Sequence, residues 1–182
     1  MSSDVRPRLK KKLAGCVRTG KITLSSGQET DFYFDGRLVS LDPEGSVLIA
    51  ELLLAEIQEL GISAIGGPTM AADPLTSSVG VLAYQRGVPL KLFYVRKQGK
   101  KHGMQRRVEG PPLPADSHVA LVDDTLTTGG SLLSARDTLR EEIGIEAKVA
   151  FVIVDREESG RERLESAGLE VHALFRKRDF LP

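Results

Sequence analysis

The sequence predicts an α/β fold, a mainly parallel sheet with helices on both faces. Three observations predict it. From residue 63 onward, short apolar runs alternate with stretches of helical pattern. The runs at 119–122 and 149–154 are apolar throughout, as strands buried on both faces are. Gly, Pro or acidic turns separate strand from helix at almost every step.

The opening segment spaces Val5, Leu9, Leu13 and Val17 four apart, which predicts a short amphipathic helix. Lys10, Lys11 and Lys12 are its solvated face. Two strand-like pieces follow, at 21–24 and 31–39, with Ser25, Ser26 and Gly27 turning the chain after the first. Asp42, Pro43 and Glu44 read as an N-cap, a first-turn proline and an early acid. They predict a helix over 43–60, stopped by Gly61. A short strand at 63–65 is broken by Gly66, Gly67 and Pro68. A helix is expected over 72–84, with Pro74 in its first turn, and a strand over 90–95. Residues 96–110 show no apolar period and hold three glycines, so they read as a loop. Pro111, Pro112 and Pro114 oppose regular structure after it. The strand at 119–122 leads to a helix at 131–143. The strand at 149–154 leads to a helix at 161–167, and a last strand covers 171–175. The first 40 residues do not alternate and predict a small N-terminal hood, residues 1–40, over an α/β core, residues 41–182. The whole forms one compact domain.

Composition narrows the function classes. The 182 residues carry 25 Lys plus Arg and 25 Asp plus Glu, a formal charge of zero. That argues against binding nucleic acid through bulk charge, though not against a local basic patch. A single cysteine, Cys16, excludes a disulfide framework and a Cys-based zinc site. No apolar run approaches the ~20 residues of a membrane span, and no apolar h-region follows the basic N-terminus. The expectation is a cytoplasmic globular protein without membrane or nucleic-acid partners.

The chemistry concentrates at residues 119–131, VALVDDTLTTGGS. An apolar strand runs into Asp123 and Asp124, then through Thr125, Leu126, Thr127, Thr128, Gly129 and Gly130 to Ser131 at a helix start. In open parallel sheets ligands gather at the carboxyl ends of strands. Glycines let backbone approach a phosphate, and the helix N-terminus favours the anion. A sugar phosphate would use both parts, its phosphate in the turn and its hydroxyls on the carboxylates. Helix capping explains Ser131 alone, but does not call for the acid pair and the TTGG run together. The Gly-Lys-Ser/Thr of a Walker A loop is missing.

This unit resembles the phosphoribosyl-pyrophosphate (PRPP) signature of the type I phosphoribosyltransferases. The resemblance implies their fold, a central mainly parallel sheet flanked by helices with a small N-terminal hood. It implies that Asp123 and Asp124 hold ribose hydroxyls while Thr127 to Ser131 wrap the 5-phosphate, with Thr125 and Leu126 also among the PRPP-binding residues. The loop at 96–110, RKQGKKHGMQRRVEG, carries six cationic side chains and one acid, Glu109. Three readings stand beside one another: a solvated loop, a nucleic-acid patch that lacks stacking aromatics, and a lid. As a lid its cations would meet the charge growing on departing pyrophosphate. The pattern RKxxKxHG resembles the lid signature of the orotate phosphoribosyltransferases. TLSSG at 23–27, FYFDGR at 32–37, GGPTMAADP at 66–74 and VDREESG at 154–160 resemble the same family in the same order.

The resemblance implies transfer of ribose 5-phosphate from PRPP to orotate, with Mg2+ as cofactor and a homodimer sharing the lid across its interface. Lys100 would be the lid's catalytic lysine, with Arg96, Lys97 and His102 on pyrophosphate oxygens. Arg156 would meet the orotate carboxylate, Thr127 would lie near the base, and Phe32 and Phe34 would line the pyrimidine pocket. Each has a plainer alternative: core packing for Phe32 and Phe34, a surface ion pair with Glu157 or Glu158 for Arg156, a surface position for His102. His118 and His172 show no ligand spacing, and no dedicated metal cage is legible. Two departures stand out. Some family members carry lysine where Ser25 stands, and another in the loop matching 69–73, where backbone N–H groups, the Thr69 hydroxyl, or Arg106 and Arg107 could substitute. A purine-base phosphoribosyltransferase and a non-catalytic nucleotide- or RNA-binding regulator remain alternatives.

Overall fold

The computed structural model describes residues 4–23, 29–98 and 106–181. Helix α1 (Val5–Ala14) leads into strands β1 (Val17–Thr23) and β2 (Glu29–Phe34), which pair antiparallel as a two-stranded sheet. The single turn α2 (Arg37–Ser40) and helix α3 (Pro43–Glu59) follow. Then come β3 (Ala64–Pro68), α4 (Ala72–Gln85), β4 (Lys91–Val95), β5 (Val108–Glu109) and β6 (Val119–Leu126). The chain finishes with α5 (Gly130–Ile143), β7 (Val149–Asp155), α6 (Gly160–Ser166), β8 (Glu170–Arg176) and a 3-10 turn, Lys177–Phe180.

The main sheet has the order β5-β4-β3-β6-β7-β8. All neighbours run parallel except β5, which returns antiparallel along the β4 edge. Helices cover both faces, and each face has its own apolar core. On one side Ile65, Val122, Phe151 and Ile153 meet Leu9 and Leu13 of α1, Leu53 and Ile57 of α3, and Leu75 and Val79 of α4. On the other, Leu121, Ala150 and Val152 meet Leu132 and Leu139 of α5 and Leu164 of α6. Burying side chains of this size contributes about 1.5–3 kcal/mol each. The central strands lie between two dry layers, which is why they read as continuous apolar runs.

The caps form as the sequence dictates. The Asp42 carboxylate accepts the Gly45 N–H at 2.8 Å, with Pro43 beside it in the first turn. At the other end of α3, Gly61 takes φ +63°, and the Ile62 N–H reaches back to the Ile57 carbonyl at 2.9 Å. Lys12 of α1 donates to Asp42 at 2.7 Å and so ties the N-terminal helix to that cap. Leu9, Leu13, Phe32 and Phe34 share one core with α3 and α4.

Four expectations need correction. The strand expected at 31–39 ends at Phe34, and Val39 lies in the turn α2, buried against α3. Gly66, Gly67 and Pro68 do not break the strand; they remain paired with β4. A Cβ at Gly66 would run into the Phe93 carbonyl, and one at Gly67 into the Val122 carbonyl. These glycines allow close approach of chains and are not turn residues. The loop at 96–110 is not wholly irregular, since Val108 and Glu109 pair with Val95 and Tyr94. The strand expected at 119–122 continues to Leu126, so both acids stand on the strand itself.

A Gly66→Ala substitution should therefore cost about 1–3 kcal/mol by overpacking. The urea unfolding midpoint should fall with an unchanged m-value. A midpoint equal to that of the parent chain would contradict the close-packing reading.

Candidate active site

Strand β6 carries the acids from a dry interior to the carboxyl edge of the sheet, in the burial order Val119 to Asp123. Asp123 is 8% exposed, and its Oδ1 accepts the Asp124 N–H at 2.9 Å. Burial, reinforced by the neighbouring Asp124 charge, pushes its carboxyl up to about 7. The Lys97 charge pulls the other way. Burial also raises Asp124, against a hydrogen bond from the Thr125 side chain. Two adjacent carboxylates in a poorly solvated site suit ligand hydroxyls or a cation, either of which would favour their charged forms.

The turn following β2 closes over Asp124. A Cβ at Gly36 would stand 2.6 Å from its Oδ2, so only glycine lets the carboxylate come this close. The charges of Asp35 and Arg37 both act on Asp124. Gly36 escaped the sequence reasoning as a site residue. Its signal was present in FYFDGR, but nothing local shows which distant side chain the glycine must admit.

Beyond Asp124 the chain forms a cleft of about 110 Å³, lined by Asp123, Thr125, Leu126, Thr127, Thr128, Gly129, Gly130 and Ser131. Gly129 adopts φ +72° and starts α5. The first turn of α5 offers N–H groups that no helical carbonyl can accept. Outward-facing carbonyls are pinned from behind. Gly160 N–H donates to Thr127 O at 3.0 Å, and Arg163 donates to Thr128 O at 3.3 Å. The result is an anion cradle at a helix N-terminus. The structure brings together the residues expected for it.

A second cleft, about 240 Å³, shares Gly130 and Ser131 with the cradle and adds Pro68, Val95, Arg96, Lys97, Arg107, Ser134 and Ala135. Arg107 is braced there. Its Nε donates to Arg96 O at 2.9 Å, its Nη2 to Ser134 at 3.3 Å, and its backbone N–H to the Glu142 carboxylate. The loop after β3 presents Met70, 73% exposed, while Asp73 Oδ1 is buried without a partner. Lys100 and His102 lie outside the described residues, as does Ser25.

Arg156 reaches from the turn after β7 to the hood strand. Its Nη2 donates to Thr30 Oγ1 at 2.8 Å and Phe32 O at 3.0 Å, and pairs with Glu158 Oε1 at 3.0 Å. The ion pair with Glu158 weighed for this arginine is present, and the same side chain also holds the hood. Phe32 and Phe34 do not offer rings to a pocket. They are 0% and 7% exposed and belong to the core with α3. Period-two alternation turns Tyr33, half-buried, to the opposite face of β2. What Phe32 gives the site is its carbonyl, on Arg156.

Among the described residues no group of three or more His, Cys, Asp or Glu could cage a metal. Among the described residues no helix is long and apolar enough to cross a membrane. Residues 45–169 match the phosphoribosyl transferase domain. An orotate phosphoribosyltransferase of Bradyrhizobium sp. (strain ORS 278) is 40% identical over 165 residues, 89% of each chain. The orotate phosphoribosyltransferase of Mycobacterium tuberculosis H37Rv, in complex with Fe(III) dicitrate, superposes with a TM-score of 0.82 at 34% identity. That match covers 97% of this chain and 98% of the other. The same Mycobacterium enzyme in complex with PRPP gives 0.79 at 29% identity over 97% and 98%.

The raised Asp123 carboxyl makes the folded chain bind its proton more tightly than the unfolded chain does. Stability is therefore lost as pH rises through 7. Between pH 6 and 8 the parent should lose about 1.4 kcal/mol relative to Asp123→Asn, measured by urea unfolding without ligand. Parallel changes in both proteins would refute the assignment.

Proposed function

The chain belongs to the phosphoribosyl transferase family and, within it, to the orotate phosphoribosyltransferases, and on that premise we propose how its site works. The enzyme transfers ribose 5-phosphate from PRPP to orotate, giving orotidine 5-phosphate and pyrophosphate. The observation that carries the site assignment is the acid pair, Asp123 buried and Asp124 half-buried, set directly beside the glycine-rich cradle on one strand–turn–helix unit.

The cradle of Thr127, Thr128, Gly129, Gly130 and Ser131 takes the 5-phosphate, and Thr125 and Leu126 carry the chain into it. That fixes the ribose above Asp123 and Asp124, whose carboxylates accept its hydroxyls. The bond from ribose C1 to pyrophosphate breaks with the electron pair leaving on oxygen. A ring nitrogen of orotate then supplies the pair for the new bond and gives up its proton, which the departing pyrophosphate or solvent takes. The intervening state is oxocarbenium-like, and the two carboxylates offset its positive charge. Arg96 and Lys97, at the end of β4, line the cleft in which pyrophosphate charge develops. Arg107, braced against Ser134 and Glu142, supplies a fixed cation where the loop 69–73 lacks a lysine. Lys100 and His102 complete the set as lid residues. Arg156 anchors the orotate carboxylate, and Thr127 lies between cradle and base.

Mg2+ fits the donor set. The two buried carboxylates gain from a nearby cation, and an ion that keeps its waters needs no protein cage. Asp123 and Asp124 would hold it through the ribose hydroxyls and water. When bound it neutralises phosphate charge. Residues 1–40 act as the hood over the base side, tied down by Arg156. A homodimer is part of the proposal. Val47 of α3 and Val81 of α4, 53% and 61% exposed, line one apolar cleft suited to a second copy. Cytoplasmic placement belongs to the same reading. A monomer mass by sedimentation would remove the dimer.

The test is steady-state turnover of orotate with PRPP, with and without a metal chelator. Orotate should be converted and chelation should abolish it. Turnover with hypoxanthine, xanthine or adenine alone would reject the reading. Lys100→Ala should lower kcat at least ~100-fold, the scale of one well-placed transition-state donor. Full activity in that variant would remove Lys100 from the mechanism.

A further inference from the structure

Two adjacent acids follow Arg156, and the fold sends them apart. Glu157 takes φ +57°, the one positive-φ residue other than glycine among the described residues. Its carboxylate is committed to Arg178, accepting both the backbone N–H and the guanidinium. Glu158 turns instead to Arg156, with Oε1 3.0 Å from Nη2. The Arg156 side chain is 12% exposed and that of Glu158 is 42% exposed.

The arginine end is oversubscribed. Nη2 has two N–H bonds and meets three acceptors: Thr30 Oγ1, Phe32 O and Glu158 Oε1. Two of these are fixed. Thr30 is locked to Phe32, its hydroxyl donating to Phe32 O at 2.9 Å and accepting the Phe32 N–H at 3.3 Å. Both therefore move only if strand β2 moves. Glu158 is a solvent-edge side chain, free to swing away. At the same time Arg156 Nε is buried without a partner, so this guanidinium still has an unmet donor. A buried cation with no counter-charge is costly. Glu158 supplies that counter-charge as long as no other carboxylate does.

We infer that Glu158 is a positioning residue that holds the Arg156 guanidinium in the free enzyme and is exchanged for the carboxylate of the pyrimidine substrate. The inference rests on Arg156 as the orotate anchor. The exchange is one carboxylate for another, so Arg156 never faces the interior unpaired. A base without a carboxylate, such as uracil, cannot drive it and leaves the Arg156–Glu158 pair in place. Glu158 thus acts as a filter for a carboxylated ring, competing with every base and yielding to one kind.

The test uses the full chain with Glu158→Gln, Glu158→Ala and Arg156→Gln, varying orotate and PRPP separately. Removing the competitor should lower the orotate KM about threefold, on the scale of one partly exposed ion pair. The PRPP KM should not follow it, which a merely structural defect would not arrange. Arg156→Gln should raise the orotate KM at least about tenfold. If it does, but both Glu158 variants leave the orotate KM unchanged or raise it, the exchange is overturned and Arg156 stands as the anchor. If Arg156→Gln leaves the orotate KM unchanged, the anchor assignment falls and the exchange falls with it.

Discussion

Two neighbouring carboxylates at the dry end of a central strand are the constraint around which this molecule is built. Strand β6 has β3 and β7 on its flanks and helices on both faces, so Asp123 emerges from an interior with little solvation. Burial and the Asp124 charge keep its carboxyl near 7 without ligand. The site is thus held in a state that hydroxyl donors or a cation would relieve, as the ribose of the proposed reaction would. Gly36 follows from the same constraint, since a side chain there would press on the Asp124 carboxylate.

One turn organises both flanks of that pair. Arg156 N–H donates to Leu126 O and Gly160 N–H to Thr127 O, which hold the phosphate cradle from behind. The Arg156 side chain crosses to Thr30 and Phe32, which holds the hood strand in front. Gly160 must be glycine, because a Cβ would meet Thr127 O at 2.5 Å. The segment 154–160 therefore ties the glycine-rich turn after β6 to strand β2 through a few residues.

Most of the core was legible because its period is local. Apolar runs, the Asp42 cap and the Gly61 stop are settled within a few residues, and they survive folding unchanged. What was not legible depends on chains far apart in sequence. Gly66 and Gly67 look like a turn, yet they are strand residues with Phe93 and Val122 against them. Val108 and Glu109 become a strand only because β4 offers an open edge. Phe32 and Phe34 sit in a motif that signals function, but alternation points their rings into the core and leaves the carbonyl of Phe32 to serve Arg156. The acid pair and cradle were readable because strand, turn and helix start are contiguous. Gly36 was not, since it acts on a group set by tertiary structure.

The zero net charge has a physical division inside it. Residues 96–110 carry a formal charge of +5 and the rest of the chain −5. A sugar carrying a phosphate and a diphosphate, brought beside Asp123 and Asp124, would raise their proton affinity further, because like charges disfavour ionisation. Its hydroxyls need those same carboxylates ionised. Both demands can be met only if positive charge accompanies the phosphates into the site. The Lys97 charge already lowers the Asp123 carboxyl, and Arg96 and Arg107 line the same cleft as Lys97. In the proposed reaction the cationic segment would therefore have two tasks with one charge: to receive the leaving group, and to keep the acid pair in the form that holds the ribose.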